Sequence, residues 1–166
     1  MSPPPRATSG ARVALAYHPP PEKPPVTPLQ ASFPPPAYTL PVRVYWEDTD
    51  AGGVVFYANY LKFFERARTE WLRALGLGQQ TLLDERGLLF VVGQVNIRYL
   101  QSARLDDALE ITAAVADVGR SRLSIAQQAR CNGVVLAQGV VDIVCVEKAS
   151  WRAQRVPADI LALMKP

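Results

Sequence analysis

The sequence predicts one α+β domain behind a proline-rich leader, and three features of its 166 residues point there. Thirteen of the fifteen prolines fall at or before Pro41, one long stretch carries apolar residues at helical spacing, and beyond Gly87 the apolar period becomes two. One strand, one long helix and four antiparallel strands make a five-stranded sheet that must curl around the helix to bury its apolar side.

Between Ser2 and Tyr38 the chain is largely Pro, Ala, Ser and Thr, with proline triplets at Pro3–Pro5, Pro19–Pro21 and Pro34–Pro36. Proline lacks the N–H that helices and sheets use, so residues 1–38 read as a disordered extension, with a polyproline recognition ligand as the functional alternative. The domain is expected over 39–166. It opens with a strand, Pro41 to Glu47, in which Val42, Val44 and Trp46 alternate with Arg43 and Tyr45. Asp48-Thr49-Asp50-Ala51-Gly52-Gly53 then supplies turn formers and a pair of glycines, where the chain reverses and a ligand can approach the backbone.

Ala58 to Leu75 reads as the long helix, because Tyr60, Phe63, Phe64, Ala67, Trp71, Leu72 and Leu75 recur at three- and four-residue steps. Gly76 or Gly78 stops it, and a weaker helix, Gln80 to Arg86, ends at Gly87. In the strand Leu88 to Leu100, Val91, Val95, Ile97 and Tyr99 share a face; in the next, Leu109, Ile111, Ala113 and Val115 do. Leu123 and Ile125 alternate with Arg122 and Ser124 in the third, and Asn132-Gly133 signals a tight hairpin into the fourth, Val134 to Val146. That last strand is apolar at nearly every residue, which predicts a central strand covered on both faces. Pro157 to Met164 reads as a short terminal helix. A single helix covers one sheet face, so the other face or an edge strand is expected to meet a second subunit.

Composition narrows the function. The domain has 15 Lys and Arg against 14 Asp and Glu, a field too weak for nucleic acid as main partner. Cys131 and Cys145 are too few and too far apart for a disulfide framework or a cysteine zinc site, and they read as buried strand residues. No run approaches the roughly 18 apolar residues of a membrane span or forms a signal-peptide core, so a cytoplasmic protein is expected. His18, in the leader, is the only histidine, which excludes Ser-His-Asp, Cys-His and His-ligated zinc chemistry from the domain. Phosphate-loop and GxGxxG patterns are absent from the sequence.

What remains is a carboxylate assisted by backbone donors. Asp50 precedes an apolar loop that enters the helix near Tyr57, where unpaired N–H groups carry partial positive charge and can hold the oxygen of an activated carbonyl. A carboxylate opposite can attack that carbon or activate water. The other reading of Asp50 is a turn or cap residue. Glu65 reads as a solvated residue or a member of an ion pair, with Arg66 and Glu70 placed four apart for pairing. Glu47 and Asp48 suit loop support. Phe56, Phe63, Phe64 and Trp71 read as core residues or walls of an apolar channel, and Arg98, Arg104, Arg120, Arg122, Lys148 and Arg152 as solvated cations or contacts for an anionic ligand.

The segment VRVYWEDTDAGGVVFYANYLKFFERARTEWL, Val42 to Leu72, closely resembles the hotdog-fold acyl-CoA thioesterases, in the Tol-Pal-associated branch related to 4-hydroxybenzoyl-CoA thioesterase. YLQSARLDDALEI, Tyr99 to Ile111, is similar to the same branch, as is Val140 to Val146. The resemblance implies a hotdog homodimer, often paired into a homotetramer, that hydrolyses acyl-CoA thioesters without metal or organic cofactor. It implies that Asp50 is the catalytic carboxylate, that the Tyr57 N–H polarises the carbonyl, that Gly52, Gly53, Val54 and Val55 line the substrate, and that Asn59 fixes the loop or meets the substrate. Many members of the branch carry histidine at the position of Tyr57. A phenol of pKa about 10 is a poor base at neutral pH, but its backbone N–H survives the replacement. A non-catalytic alternative, an acyl carrier protein or Tol-Pal binding scaffold, follows from the same branch and the missing histidine.

Overall fold

The long helix and the strands wrapped around it account for most of the core. A computed structural model describes residues 33–164, so the expected leader lies outside the described residues as far as residue 32. The elements are β1 Tyr38–Arg43, a short 3-10 turn Trp46–Asp48, α1 Asn59–Ala74, α2 Gln79–Arg86, β2 Leu88–Tyr99, β3 Ala108–Val118, β4 Arg122–Cys131, β5 Val134–Glu147 and α3 Ala158–Met164. All five strands form one antiparallel sheet in the order β1-β3-β4-β5-β2. The α+β class, the five strands and the single long helix are therefore as the sequence predicts.

Helix α1 buries Tyr60, Phe63, Phe64, Ala67, Trp71 and Leu72. Phe63, Phe64 and Ala67 pack with Leu109, Ile111, Ala129 and Leu136, while Trp71 and Leu72 pack with Leu123, Ile125, Val141 and, from α3, Ile160. Gly76 ends the helix at φ +77°, with its N–H on the Arg73 carbonyl and the Leu77 N–H on the Leu72 carbonyl, the Schellman pattern that left-handed glycine permits. Asn132 and Gly133 both have positive φ, as a two-residue hairpin between β4 and β5 requires.

Four details differ from the sequence reading. The first strand runs over Tyr38–Arg43 rather than Pro41–Glu47; it is an edge strand, where Pro41 can sit without a ladder N–H. Trp46 consequently leaves the sheet and is 79% exposed, although Val44 is fully buried. In β2 the register slips between Val92 and Gln94, so Val92, not Val91, stands opposite Ile143 on the helix side. A bulge of one residue exchanges the faces of everything before it. Finally, the central strand is β4, buried on both faces from Leu123 to Ala129, whereas β5 is second from an edge and its outward residues are half-buried. Small outward side chains on β4, Ser124 and Ala126, let neighbouring strands shield that face.

Phe63 is fully buried at the centre of this packing. Phe63→Ala is expected to cost about 3–5 kcal/mol, measured as a lowered urea midpoint at unchanged slope; a loss below about 1 kcal/mol would show that the helix is not the core's main element.

Candidate active site

The chain from Tyr45 to Asn59 closes on itself before it becomes a helix. The Tyr45 N–H donates to Oδ2 of buried Asp48 at 2.9 Å, and the Phe56 N–H donates to the Asp48 carbonyl at 2.8 Å. Between these anchors Thr49 bridges Val55, the Asp50 N–H donates to the Val54 carbonyl at 2.9 Å, and the Gly53 N–H donates to the Asp50 carbonyl at 2.9 Å. Gly53 has φ +72°, so the turn needs a residue without a Cβ there. The Gly52 N–H donates to Asp50 Oδ1 at 2.8 Å. That bond orients the exposed carboxylate, and among the described residues Oδ2 receives no donor.

The return leg reaches the helix. Val54 bridges Arg104, and the Val55 N–H donates to the Ala103 carbonyl at 2.9 Å, while the Val55 side chain is in the core. Val54 is half-buried, so of the two valines it alone has surface for a ligand. Asn59 is buried, and its Nδ2 donates to the Asp48 carbonyl at 2.9 Å. Its amide therefore ties the loop to the helix, and the expectation that Asn59 meets the substrate gives way to a loop-holding role.

Just before α1, the Phe56 carbonyl accepts from the Asn59 N–H at 2.8 Å. Among the described residues the N–H groups of Tyr57 and Ala58 donate to no acceptor. They stand at the positive end of the α1 dipole, where developing negative charge is favoured. The Tyr57 side chain is 62% exposed and stacks in tilted fashion on Phe56, ring centres 4.7 Å apart.

Two tyrosines that sequence reasoning did not select close the site from behind. Tyr99, at the end of β2, donates its hydroxyl to the Tyr57 carbonyl at 3.0 Å, and its ring meets Tyr57 and Tyr60 edge-on at 6.2 and 5.7 Å. Tyr60 accepts the Ala103 N–H on its hydroxyl at 3.0 Å. Burial pushes both phenols above their ordinary pKa, with Asp107 adding to the effect at Tyr60 and the neighbouring tyrosines at Tyr99. No local spacing announces these pairings, which join residues about 42 positions apart.

Glu65 is exposed and accepts from the Thr69 hydroxyl at 2.6 Å. Glu70 pairs with Arg73 rather than with Arg66, whose guanidinium lies 5.9 Å from the Phe63 ring centre. Phe63, Phe64 and Trp71 are buried core, and Phe56 is exposed. Arg122 is paired with Asp117 and Asp142. Arg68 is half-buried and donates to Oε1 of fully buried Gln127 at 2.7 Å; burial lowers its pKa. It lines a cavity of about 100 Å³ between α1 and β2, with Leu72, Phe90 and Val92 among the walls. Burial raises the Cys145 thiol, consistent with an inert strand residue. Among the described residues no group of His, Cys, Asp and Glu is arranged to hold a metal ion, and no helix is long and apolar enough to cross a membrane.

Known proteins share this fold. The family model of the thioesterase-like superfamily matches residues 44–164. The acyl-CoA thioesterase YbgC of Haemophilus influenzae is 44% identical over 125 residues, 75% of this chain and 92% of that protein. A probable thioesterase from Bartonella henselae superposes with a TM-score of 0.68 at 31% identity, over 72% of this chain and 98% of that one. A hypothetical protein from Aquifex aeolicus, 24% identical, has the same fold, with a TM-score of 0.73 over 77% of this chain and 99% of that one. The long family match and the identity to the Haemophilus protein show that this chain belongs to the thioesterase-like superfamily, as a hotdog-fold thioesterase homologous to the YbgC proteins.

Proposed function

We propose that the chain hydrolyses acyl-CoA thioesters, with Asp50 acting on the thioester carbon and the main-chain amide of Tyr57 holding the carbonyl oxygen. The observation that carries this reading is the closed loop, which puts an oriented carboxylate and a donor N–H without an acceptor on one braced segment at the positive end of α1. As the carbon becomes tetrahedral its oxygen gains negative charge, which the Tyr57 amide and the helix dipole stabilise more than they stabilise the neutral ground state. Asp50 either adds to the carbon, expelling the thiolate and leaving an anhydride that water cleaves, or takes a proton from the water that adds directly. In both routes the C–S bond breaks with the sulfur leaving as thiolate, water supplies the new oxygen, and a proton from that water converts the thiolate to the thiol. Gly52 and Gly53 keep the turn open to the substrate, and half-buried Val54 flanks it.

A second copy of the chain completes the assembly in this reading. Edge strand β2 exposes Val92 at 52% and Val95 at 39%, with Leu100 just beyond its end at 45%, an apolar edge that would aggregate if left unpaired. Antiparallel pairing of β2 with the same strand of a partner satisfies that edge and forms a homodimer, which the outward sheet face can pair further into a homotetramer.

Asp50→Asn is expected to lower kcat/KM on an acyl-CoA panel by at least ~100-fold with the fold intact by circular dichroism. Full turnover by the variant would remove Asp50 from the mechanism. Inertness of the wild type on every thioester, together with capture of acyl carrier protein, would favour the scaffold reading.

Because the folded state favours the neutral phenols of Tyr60 and Tyr99, their contribution to stability is complete below the ordinary tyrosine pKa of about 10 and declines as pH rises through their raised values. Thermal stability followed alongside tyrosinate absorbance is therefore expected to show no tyrosine-linked loss between about pH 6 and 9 and a decline above about pH 10. Ionisation of both phenols near neutral pH would contradict the packing described. Val92→Lys is expected to shift light-scattering mass toward the monomer, and an unchanged dimer would place the interface elsewhere.

A further inference from the structure

We infer that Tyr99 is a positioning residue for the reaction, a hydroxyl clamp that fixes the peptide immediately after the electrophilic amide and so holds Tyr57 from its carbonyl side. The inference rests on the proposed role of the Tyr57 N–H and adds a residue to it. Tyr57 lies between two peptide planes. The plane before it is held by the Asn59 N–H on the Phe56 carbonyl at 2.8 Å. The plane after it has no such help: among the described residues the Tyr57 carbonyl receives no backbone donor, since the Leu61 N–H turns to the Ala58 carbonyl at 3.1 Å. Its donor is the Tyr99 hydroxyl at 3.0 Å, from the far end of the edge strand.

The clamp is itself braced. The Tyr99 ring packs edge-on against Tyr60, and Tyr60 is fixed through its hydroxyl by the Ala103 N–H. The Ala103 carbonyl in turn receives the Val55 N–H from the loop that carries Asp50. One run of contacts thus joins the carboxylate's loop, the first turn of α1 and the end of β2. A hydrogen bond to a peptide carbonyl polarises the whole peptide and strengthens its N–H as a donor, so the hydroxyl also sharpens the Ala58 amide beside that of Tyr57. Donors fixed in advance need no reorganisation when charge develops, which is the condition for transition-state rather than ground-state stabilisation. The hydroxyl serves throughout the neutral range, because a phenol ordinarily ionises only near about pH 10 and partial burial raises that further.

Tyr99→Phe removes the hydroxyl and keeps the ring that packs on Tyr57 and Tyr60. In the full-length protein its kcat on acyl-CoA is expected to fall about tenfold, with KM within about twofold and little change in Tm. Fast backbone motion at Tyr57 and Ala58, read from 15N relaxation, is expected to increase. An unchanged kcat, with Asp50→Asn inactive in the same assay, overturns the clamp and leaves the proposed reaction standing. Parallel losses of kcat and Tm overturn it in favour of a purely structural tyrosine. If wild type and Asp50→Asn are equally inert, the proposed reaction falls, and relaxation alone decides the clamp: increased motion in Tyr99→Phe supports it and unchanged motion overturns it.

Discussion

The buried amide of Asn59 on the Asp48 carbonyl is the tie on which the approach to the helix depends. Asp48 accepts from Asn59 and Phe56 on one carbonyl and from the Tyr45 N–H on its carboxylate, so three strands of the loop meet at one residue. A carbonyl in that position deprived of its donors loses about 1–3 kcal/mol, a large fraction of an ordinary domain's stability. The turn that displays Asp50 is exposed, and its geometry is inherited from this buried base rather than from packing of its own. An exposed functional loop on a buried polar anchor reconciles access with rigidity.

The sheet supplies the second constraint. Helix α1 packs mainly on β1, β3 and β4, which leaves the helix-side face of β2 partly uncovered at Val92 and Val95. The same strand ends in Tyr99, whose hydroxyl reaches Tyr57, two residues before the helix. An edge strand is therefore both the least satisfied element of the chain and one of the supports of the helix entrance. Pairing it with a partner strand would restrict the motion of that end as well as cover its apolar side chains.

Local chemistry made much of this legible in the sequence. Helical spacing located α1 to within a residue, Gly76 marked its end, and Asn132-Gly133 marked the β4–β5 hairpin, because each signal acts through neighbouring backbone. The slip in β2 was not legible: Gly93 looks like any strand glycine, and only pairing with β5 reveals which valine faces the helix. The centrality of β4 is likewise a property of strand order, which its alternating polar residues conceal. At the site, Asp50 and Tyr57 stood out through their motif and helix-start position. Tyr99, Tyr60, Arg68 and Gln127 did not, because their partners are distant in sequence and their residue types are ordinary in strands and helices.

The tyrosine at position 57 bears on how acid–base work and charge stabilisation are divided. An imidazole there would supply a group that gains and loses a proton near neutral pH. Residues 33–164 contain no histidine, and the phenols of Tyr60 and Tyr99 are held more firmly neutral than usual. On the proposed reading, the carboxylate of Asp50 alone handles protons or attacks carbon, and main-chain amides alone handle the oxygen. Amide donors do not titrate, and their strength depends on orientation instead of protonation. Replacing a side-chain helper with the backbone thus exchanges a requirement on pH for a requirement on geometry, and the dense hydrogen bonding around residues 45–59 and Tyr99 is where this fold meets it.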